Sequence, residues 1–378
     1  MRVRHLRWLK VCEDRKMNVV TFGEIMARLA PEGFSRFRQV MPGKLNVTFA
    51  GAEANVAVSI ALLGGESAFV TALPKNAIAD ACVANLKALG VDTQHIVRAD
   101  IGRLGLYFVE TGANQRPSRV IYDRAHSSVS QVEANQYPWE AIFKDKTWFH
   151  TTGITPSLSI TAAEVTLSAV QKAKSAGLKV SCDLNFRKKL WRWDDSLKPR
   201  ELAEQTLRAV LPFVDVVIAN EEDAADVLGI HAEDTDVHSG KLSIDKYPHV
   251  AREIINQFSN VSTVAITLRE SISASHNNWG AMLYDAKSDR AFFAPVQNGQ
   301  YSPYQIKNIV DRVGGGDAFG AGLIFALQTP ELSSPENTVA FATAASCLAQ
   351  SISGDFNYNS REEVEALMKG SSSGRVVR

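Results

Sequence analysis

Asp311-Arg-Val-Gly-Gly-Gly-Asp-Ala-Phe-Gly-Ala-Gly322 is the stretch on which the reading of this chain turns. Gly314, Gly315 and Gly316 stand directly before AFGAGLIFAL, a run that reads as a buried helix. Consecutive glycines let backbone amides point at one place and let a ligand approach the main chain closely. A helix N-terminus adds unpaired N–H donors and a positive dipole end, so the spot suits a phosphate. Asp317 falls in the first turn, where a carboxylate can take the proton of an attacking hydroxyl. The amides of Gly314–Gly316 would meanwhile stabilise charge on phosphoryl oxygens. Taken alone, the same residues equally describe a flexible turn with an aspartate capping a helix. No GxxxxGKS/T loop occurs, and the glycines fit neither GxGxxG nor its following acidic residue.

Outward from this motif, short apolar runs alternate with helical stretches, the pattern of a mainly parallel α/β sheet. Asn18–Ile25, Ser67–Leu73, Trp148–Ile154, Lys179–Leu184, Asp215–Asn220 and Ser262–Leu268 read as strands. Glu53–Leu63 reads as a helix closed by Gly64-Gly65, and Asp80–Leu89 as one closed by Gly90. Further helices are expected near 161–176, 201–211, 221–228, 248–258, 317–328, 336–350 and 361–369. Phe37–Ala50 and Leu104–Asp123 break the rhythm and read as antiparallel strands inserted into the α/β domain. A small sheet projecting from such a domain is a natural lid or dimer surface.

The bulk numbers bound the rest. The 378 residues are 45% hydrophobic with zero formal net charge, which removes the electrostatic case for a nucleic-acid partner. No apolar run approaches the roughly 20 residues that span a bilayer, so no membrane role is expected. The four cysteines lack paired spacing and suit reduced thiols in a cytoplasmic protein. Residues 1–16 read as an extension, disordered or not native, because Met17 directly precedes a clean strand. Residues 17–369 then form the domain, with lid strands from about 34–50 and 101–125, and 370–378 a flexible tail.

Asp311–Gly322 resembles the C-terminal signature of the ribokinase-like (PfkB) carbohydrate kinases, DxxGAGDxFxxG, with Gly315 where alanine is usual. Ala50-Gly-Ala-Glu-Ala-Asn-Val-Ala57 resembles that family's N-terminal glycine motif, and the similarity runs in order from about Asn18 to Leu367. It implies a three-layer α/β/α domain with a mainly parallel central sheet and a small β-sheet lid. It also implies Asp317 as catalytic base beside a glycine anion hole, with ATP and Mg²⁺, and leaves room for a monovalent cation. A homo-oligomer is expected, a dimer through the lid sheet first among the forms.

Within the family, GAEAN (51–55), LGLY (104–107), VIYDRA (120–125) and SCDLNFRKKLW (181–191) are similar to 2-keto-3-deoxygluconate kinases. By that resemblance Gly51 and Asn55 hold sugar hydroxyls, Tyr107 and Tyr122 line the pocket, and Arg124 and Arg187 bind the acid group. A guanidinium fork pairs bidentately with a carboxylate, which gives the two arginines physical sense. On the ATP side the resemblance points to Asn185, Asn220, Thr267, Arg269, Gly314 and Gly316. Asn220-Glu-Glu-Asp223 resembles the NxxE motif, with the shorter Asp223 suited to a metal only through water. LRESISASHNNWG, a longer loop, replaces the usual KxGxxG. The alternatives are another kinase of this family, fructokinase- or ribokinase-like, and a non-catalytic sugar sensor on the same scaffold.

Overall fold

Six of the β-branched runs pair in parallel, in the order Glu66–Val70, Asn18–Phe22, Trp148–Thr152, Lys179–Asp183, Val216–Ala219 and Thr263–Ser273. His276–Asp285 and Arg290–Ala294 extend this sheet antiparallel, and Tyr304–Ile306 also pairs with His276–Asp285. The structure is a computed structural model that describes residues 17–220, 222–231 and 244–370. The expected extension 1–16, and the expected tail beyond residue 370, lie outside the described residues.

Trp148–Thr152 and Val216–Ala219 are buried along their whole length, as parallel strands covered on both faces must be. One face packs on helices Ile160–Ser175, Pro199–Val210 and Tyr247–Gln257 through residues such as Val165, Leu207 and Ile254. The other packs on Ala52–Leu62, Gly315–Leu327 and Pro335–Ala349 through Val56, Phe319 and Val339. This is the expected three-layer α/β/α arrangement. Gly315–Leu327 is buried on nearly all sides, with Leu323 and Ile324 fully enclosed. Burying each such side chain stabilises by roughly 1.5–3 kcal/mol, so the start of this helix rests on a rigid support.

A separate four-stranded sheet runs Asn46–Ala50, Met26–Ala30, Gly105–Glu110, Arg119–Asp123. Its register sets two unlike rows across neighbouring strands. Thr48, Arg28, Tyr107 and Tyr122 form one row, while Val47, Leu29, Phe108 and Ile121 form the next, pointing to the opposite face.

Three expectations are corrected here. Met26–Ala30 is a strand of the small sheet, because the run from Asn18 breaks after Phe22 and changes sheets. Phe37–Val40 is a short helix and not a strand: Arg36 N–H donates to Gln39 Oε1 at 2.8 Å and Phe37 N–H to Glu110 Oε2 at 3.2 Å. The segment 267–280 is no loop but continues Thr263–Ser273 into a hairpin with His276–Asp285, pairing Arg269 with Trp279. The hairpin tips of the two sheets touch. Asn114 N–H donates to Ser275 Oγ at 2.9 Å, and Ala274 N–H to the Asn114 carbonyl at 2.6 Å.

Candidate active site

The carboxyl ends of the parallel strands, the small sheet and the start of Gly315–Leu327 enclose a cavity of about 340 Å³. That is where open α/β sheets place ligands. Of the residues singled out in the sequence, Gly51, Asn55, Tyr107, Tyr122, Arg124, Asn185, Arg187, Asn220, Asp223, Thr267, Arg269, Gly314, Gly316 and Asp317 all line it. Gly315 does not; it is buried against Gln350 and Ser346.

Gly314 has φ 86°, and a Cβ there would sit 2.2 Å from the Asp355 carbonyl, so glycine is required on both counts. At Gly316 a Cβ would meet nothing within 4 Å. The exposed Gly316 backbone therefore faces open cavity, and its missing side chain leaves room for a ligand. Asp317, two helical positions in, is half-buried and accepts from Asn55 Nδ2 at 2.6 Å. Withdrawal from water raises its pKa to about 6, opposed by the Asn55 hydrogen bond and Arg187 and assisted by Asp355. At neutral pH such a group is ionised yet basic enough to take a proton. Asn55 is itself held, since its Oδ1 accepts from Gly51 N–H at 3.2 Å.

Two more carboxyls in the cavity are pushed upward. Burial lifts Glu53 to about 7, opposed by hydrogen bonds from Thr152 and Thr155 to its Oε1. Burial, with the like charges of Asp223 and Asp317, raises Asp183 well above the carboxylate range, opposed by Arg187. Asp223 has both oxygens engaged. Oδ1 accepts from Phe186 N–H at 3.0 Å and Oδ2 from Asn220 N–H at 2.9 Å. Asn220 Oδ1 accepts in return from the amides of Glu222 and Asp223 at 2.8 and 3.0 Å. Among the described residues no three His, Cys, Asp or Glu gather as a metal centre.

The cations differ in their freedom. Arg124 is buried and forked on Glu24, with Nε donating to Oε2 at 2.6 Å, and its guanidinium lies 5.4 Å from the Tyr122 ring. Arg187 is exposed, donates to the Phe186 carbonyl at 3.0 Å, and forms no ion pair among the described residues. Arg269 and Arg312 line the side of the cavity next to Thr267 and Gly314. Arg312 is anchored by donating to the carbonyls of Ser273 and Ala274 at 3.0 and 2.8 Å. Tyr107 OH donates to Asp355 Oδ2 at 2.7 Å, which leaves its ring, 6.4 Å from that of Tyr122, to face the cavity.

Sequence reasoning missed Glu24, Arg28, Arg312 and Asp355. Arg28 carried a readable signal, one arginine at an inward position of the otherwise apolar strand MARLA. Asp355 carried none, because its partners are 248 and 327 residues away.

Known proteins resemble this chain in sequence and fold. A 2-dehydro-3-deoxygalactonokinase of Haloferax volcanii is 31% identical over 356 residues, spanning 94% of this chain and 98% of its own. The crystal structure of a 2-dehydro-3-deoxygluconokinase from Thermotoga maritima superposes with a TM-score of 0.83 at 41% identity, over 94% of this chain and all of that one. A fructokinase of Escherichia coli is 26% identical over 320 residues, 84% of this chain and 87% of its own. Among the described residues no helix is long and apolar enough to cross a membrane. The model of the pfkB family carbohydrate kinases matches residues 16–359, and the chain belongs to that family of enzymes.

Proposed function

We propose that the chain phosphorylates a sugar acid, 2-keto-3-deoxygluconate, at its terminal hydroxyl with ATP. One observation carries the reading: Asp317, held by Asn55, shares a single cavity with the open backbone of Gly316 and the guanidinium of Arg187, which has no ion pair among the described residues. The substrate hydroxyl attacks the γ-phosphorus in line while its proton passes to Asp317. The bond from that phosphorus to the bridging oxygen breaks, and ADP leaves. The amides of Gly314 and Gly316 meet the charge on the phosphoryl oxygens, and Arg269 and Arg312 face the remaining phosphates.

Magnesium is the cation ATP brings to kinases of this kind, where it neutralises phosphate charge. Asp223, with both oxygens on backbone amides, would meet it only through water. Arg187 supplies the charge for the acid group, and Arg124, already paired with Glu24, offers remaining N–H donors. Tyr107 and Tyr122 wall the pocket, Gly51 lies at its edge beside the sugar, and Asn185, Asn220 and Thr267 flank the ATP phosphates. The small sheet acts as lid, excluding water from the phosphoryl group. Its apolar outward row, with Val47 59% and Ile121 56% exposed, supports a dimer formed through the lid.

The similarity to enzymes named for two deoxy-ketoaldonates supports a sugar acid over a neutral sugar. ADP release measured across 2-keto-3-deoxygluconate, its galactose-derived epimer, fructose and ribose tests this. Turnover of either acid well above the neutral sugars is expected. A preference for fructose or ribose would overturn the acid reading, and ligand binding without any ADP release would favour a sensor.

A further inference from the structure

Arg28 lies on the cavity-facing row of the small sheet, yet its guanidinium leaves that sheet for the body of the protein. It is 3% exposed and lies between two carboxylates, donating through Nη1 to Asp355 and through Nη2 to Asp311. Both carboxylates frame the glycine turn. Asp311 Oδ1 accepts from Val313 N–H at 3.2 Å, and its Oδ2 from Gly354 N–H at 3.3 Å. The carbonyl of Asp355 occupies the space against which Gly314 is packed. Tyr107, directly opposite Arg28 in the register, donates to the other oxygen of Asp355. Two adjacent strands of the sugar-side sheet thus converge on Asp355, the residue whose main-chain carbonyl backs the phosphate turn.

Charge explains why this bridge matters. Two carboxylates brought together away from water repel each other and favour protonation. Burial raises the pKa of Asp355, and the Arg28 guanidinium and Tyr107 hydroxyl oppose that rise. Burial also works against the charge on Arg28, but Asp355 and Asp311 overcome it and leave the guanidinium more firmly protonated than usual. A planar fork with parallel donors can meet both acids at once, where a compact ammonium meets one well.

We propose that Arg28 is a positioning residue for phosphoryl transfer, a built-in cation that clamps Asp311 and Asp355 and thereby holds the Gly314–Gly316 amides in place. It reaches neither sugar nor nucleotide itself. It acts through the turn, and it ties the seating of the sugar-side sheet to the shape of the anion hole. The inference rests on the reading of that turn as the phosphoryl site, but not on the identity of the sugar.

The test measures kcat and both KM values for Arg28→Ala and Arg28→Lys, with whichever sugar of the panel wild type uses best. A wrong sugar assignment therefore leaves this test intact. Misplacing reacting groups by about 1 Å costs on the order of 100-fold, so Arg28→Ala should lose about that in kcat while both KM values move little. Guanidinium chloride at low millimolar concentration should restore turnover, and tetramethylammonium chloride at equal ionic strength should not. Arg28→Lys should fall between, folded and with a kcat deficit rather than a KM deficit. If Arg28→Ala does not fold even with guanidinium present, Arg28→Lys decides alone. Wild-type kcat in either folded variant would overturn the proposal. So would a loss carried entirely by KM, or a loss in folded Arg28→Ala that guanidinium leaves untouched.

Discussion

Replacing Asn55 by alanine removes the one side-chain donor that, among the described residues, bonds the proposed base, at 2.6 Å from Asp317 Oδ2. A hydrogen bond to a charged acceptor contributes about 1.5–3 kcal/mol, and one pKa unit corresponds to about 1.4 kcal/mol. Asp317 is half-buried, so water recovers part of the loss, and a rise of about one unit is expected. The sign follows from the donor favouring the ionised form: without it the pKa climbs from about 6 toward about 7. The acid limb of kcat/KM, which reports groups of the free enzyme, should move by the same amount. Near pH 6 the variant would then lose roughly fivefold through ionisation alone, and most of that would return above about pH 8. ADP release across the pH range, at saturating ATP and varied sugar, reads this directly. An acid limb that stays at its wild-type position while the sugar KM rises would refute the reasoning and make Asn55 a sugar ligand instead.

Asp317→Asn should lower kcat by about 10²–10⁴ while nucleotide affinity stays near wild type; unchanged turnover in an ADP-release assay would remove Asp317 from the chemistry. Gly316→Ala meets no protein atom within 4 Å, so its melting temperature should match wild type while turnover drops, because the added methyl occupies space that the phosphoryl group needs. Gly314→Ala is the contrasting case, with φ 86° and an Asp355 carbonyl 2.2 Å from the new methyl; it should melt well below wild type. Arg187→Glu should abolish turnover of a sugar acid far more than of a neutral sugar, and equal loss on both would remove Arg187 from acid recognition. Glu53 is raised from 4.5 to about 7, so the folded state binds its proton more tightly than the unfolded state does. That contribution is full below about pH 4.5 and disappears as pH rises through about 7. Glu53→Gln removes it, and urea unfolding should show variant and wild type diverging with pH, by up to roughly 3 kcal/mol in the variant's favour near pH 8.

The parallel strands were legible because β-branched runs of buried sheet recur between amphipathic helices, and each run met its neighbour in the three-layer arrangement. The motif residues were legible for a different reason: glycine runs and acid-bearing helix starts have few other uses. What stayed hidden depends on contacts between distant residues. Arg28 reaches Asp311 across 283 residues and Asp355 across 327, and no local pattern announces such a pairing. Phe37–Val40 adopts a helical turn partly because Glu110, 73 residues on, accepts its first amide. The segment 267–280 read as a loop because it stands where the family has KxGxxG. Cross-strand pairs make it a hairpin, with Asn278 donating to Glu270 at 2.8 Å. Tyr107 lines the cavity, but its hydroxyl is spent on Asp355 and only its ring faces inward.

The meeting of the two hairpin tips sets a timescale. Two hydrogen bonds join them, Asn114 to Ser275 Oγ and Ala274 to the Asn114 carbonyl, with lengths of 2.9 and 2.6 Å. At about 0.5–1.5 kcal/mol net for each, the latch favours closure by roughly 5-fold to 150-fold. In the proposed lid, a bias of that size would keep the mouth shut for most of the time that both substrates are aboard. Such loop motions run in microseconds to milliseconds, so the contact would make and break on that scale. Under the proposed lid role, product escape would be gated by a contact weak enough to break thermally, and the tips would become a place where turnover is tuned without touching Asp317.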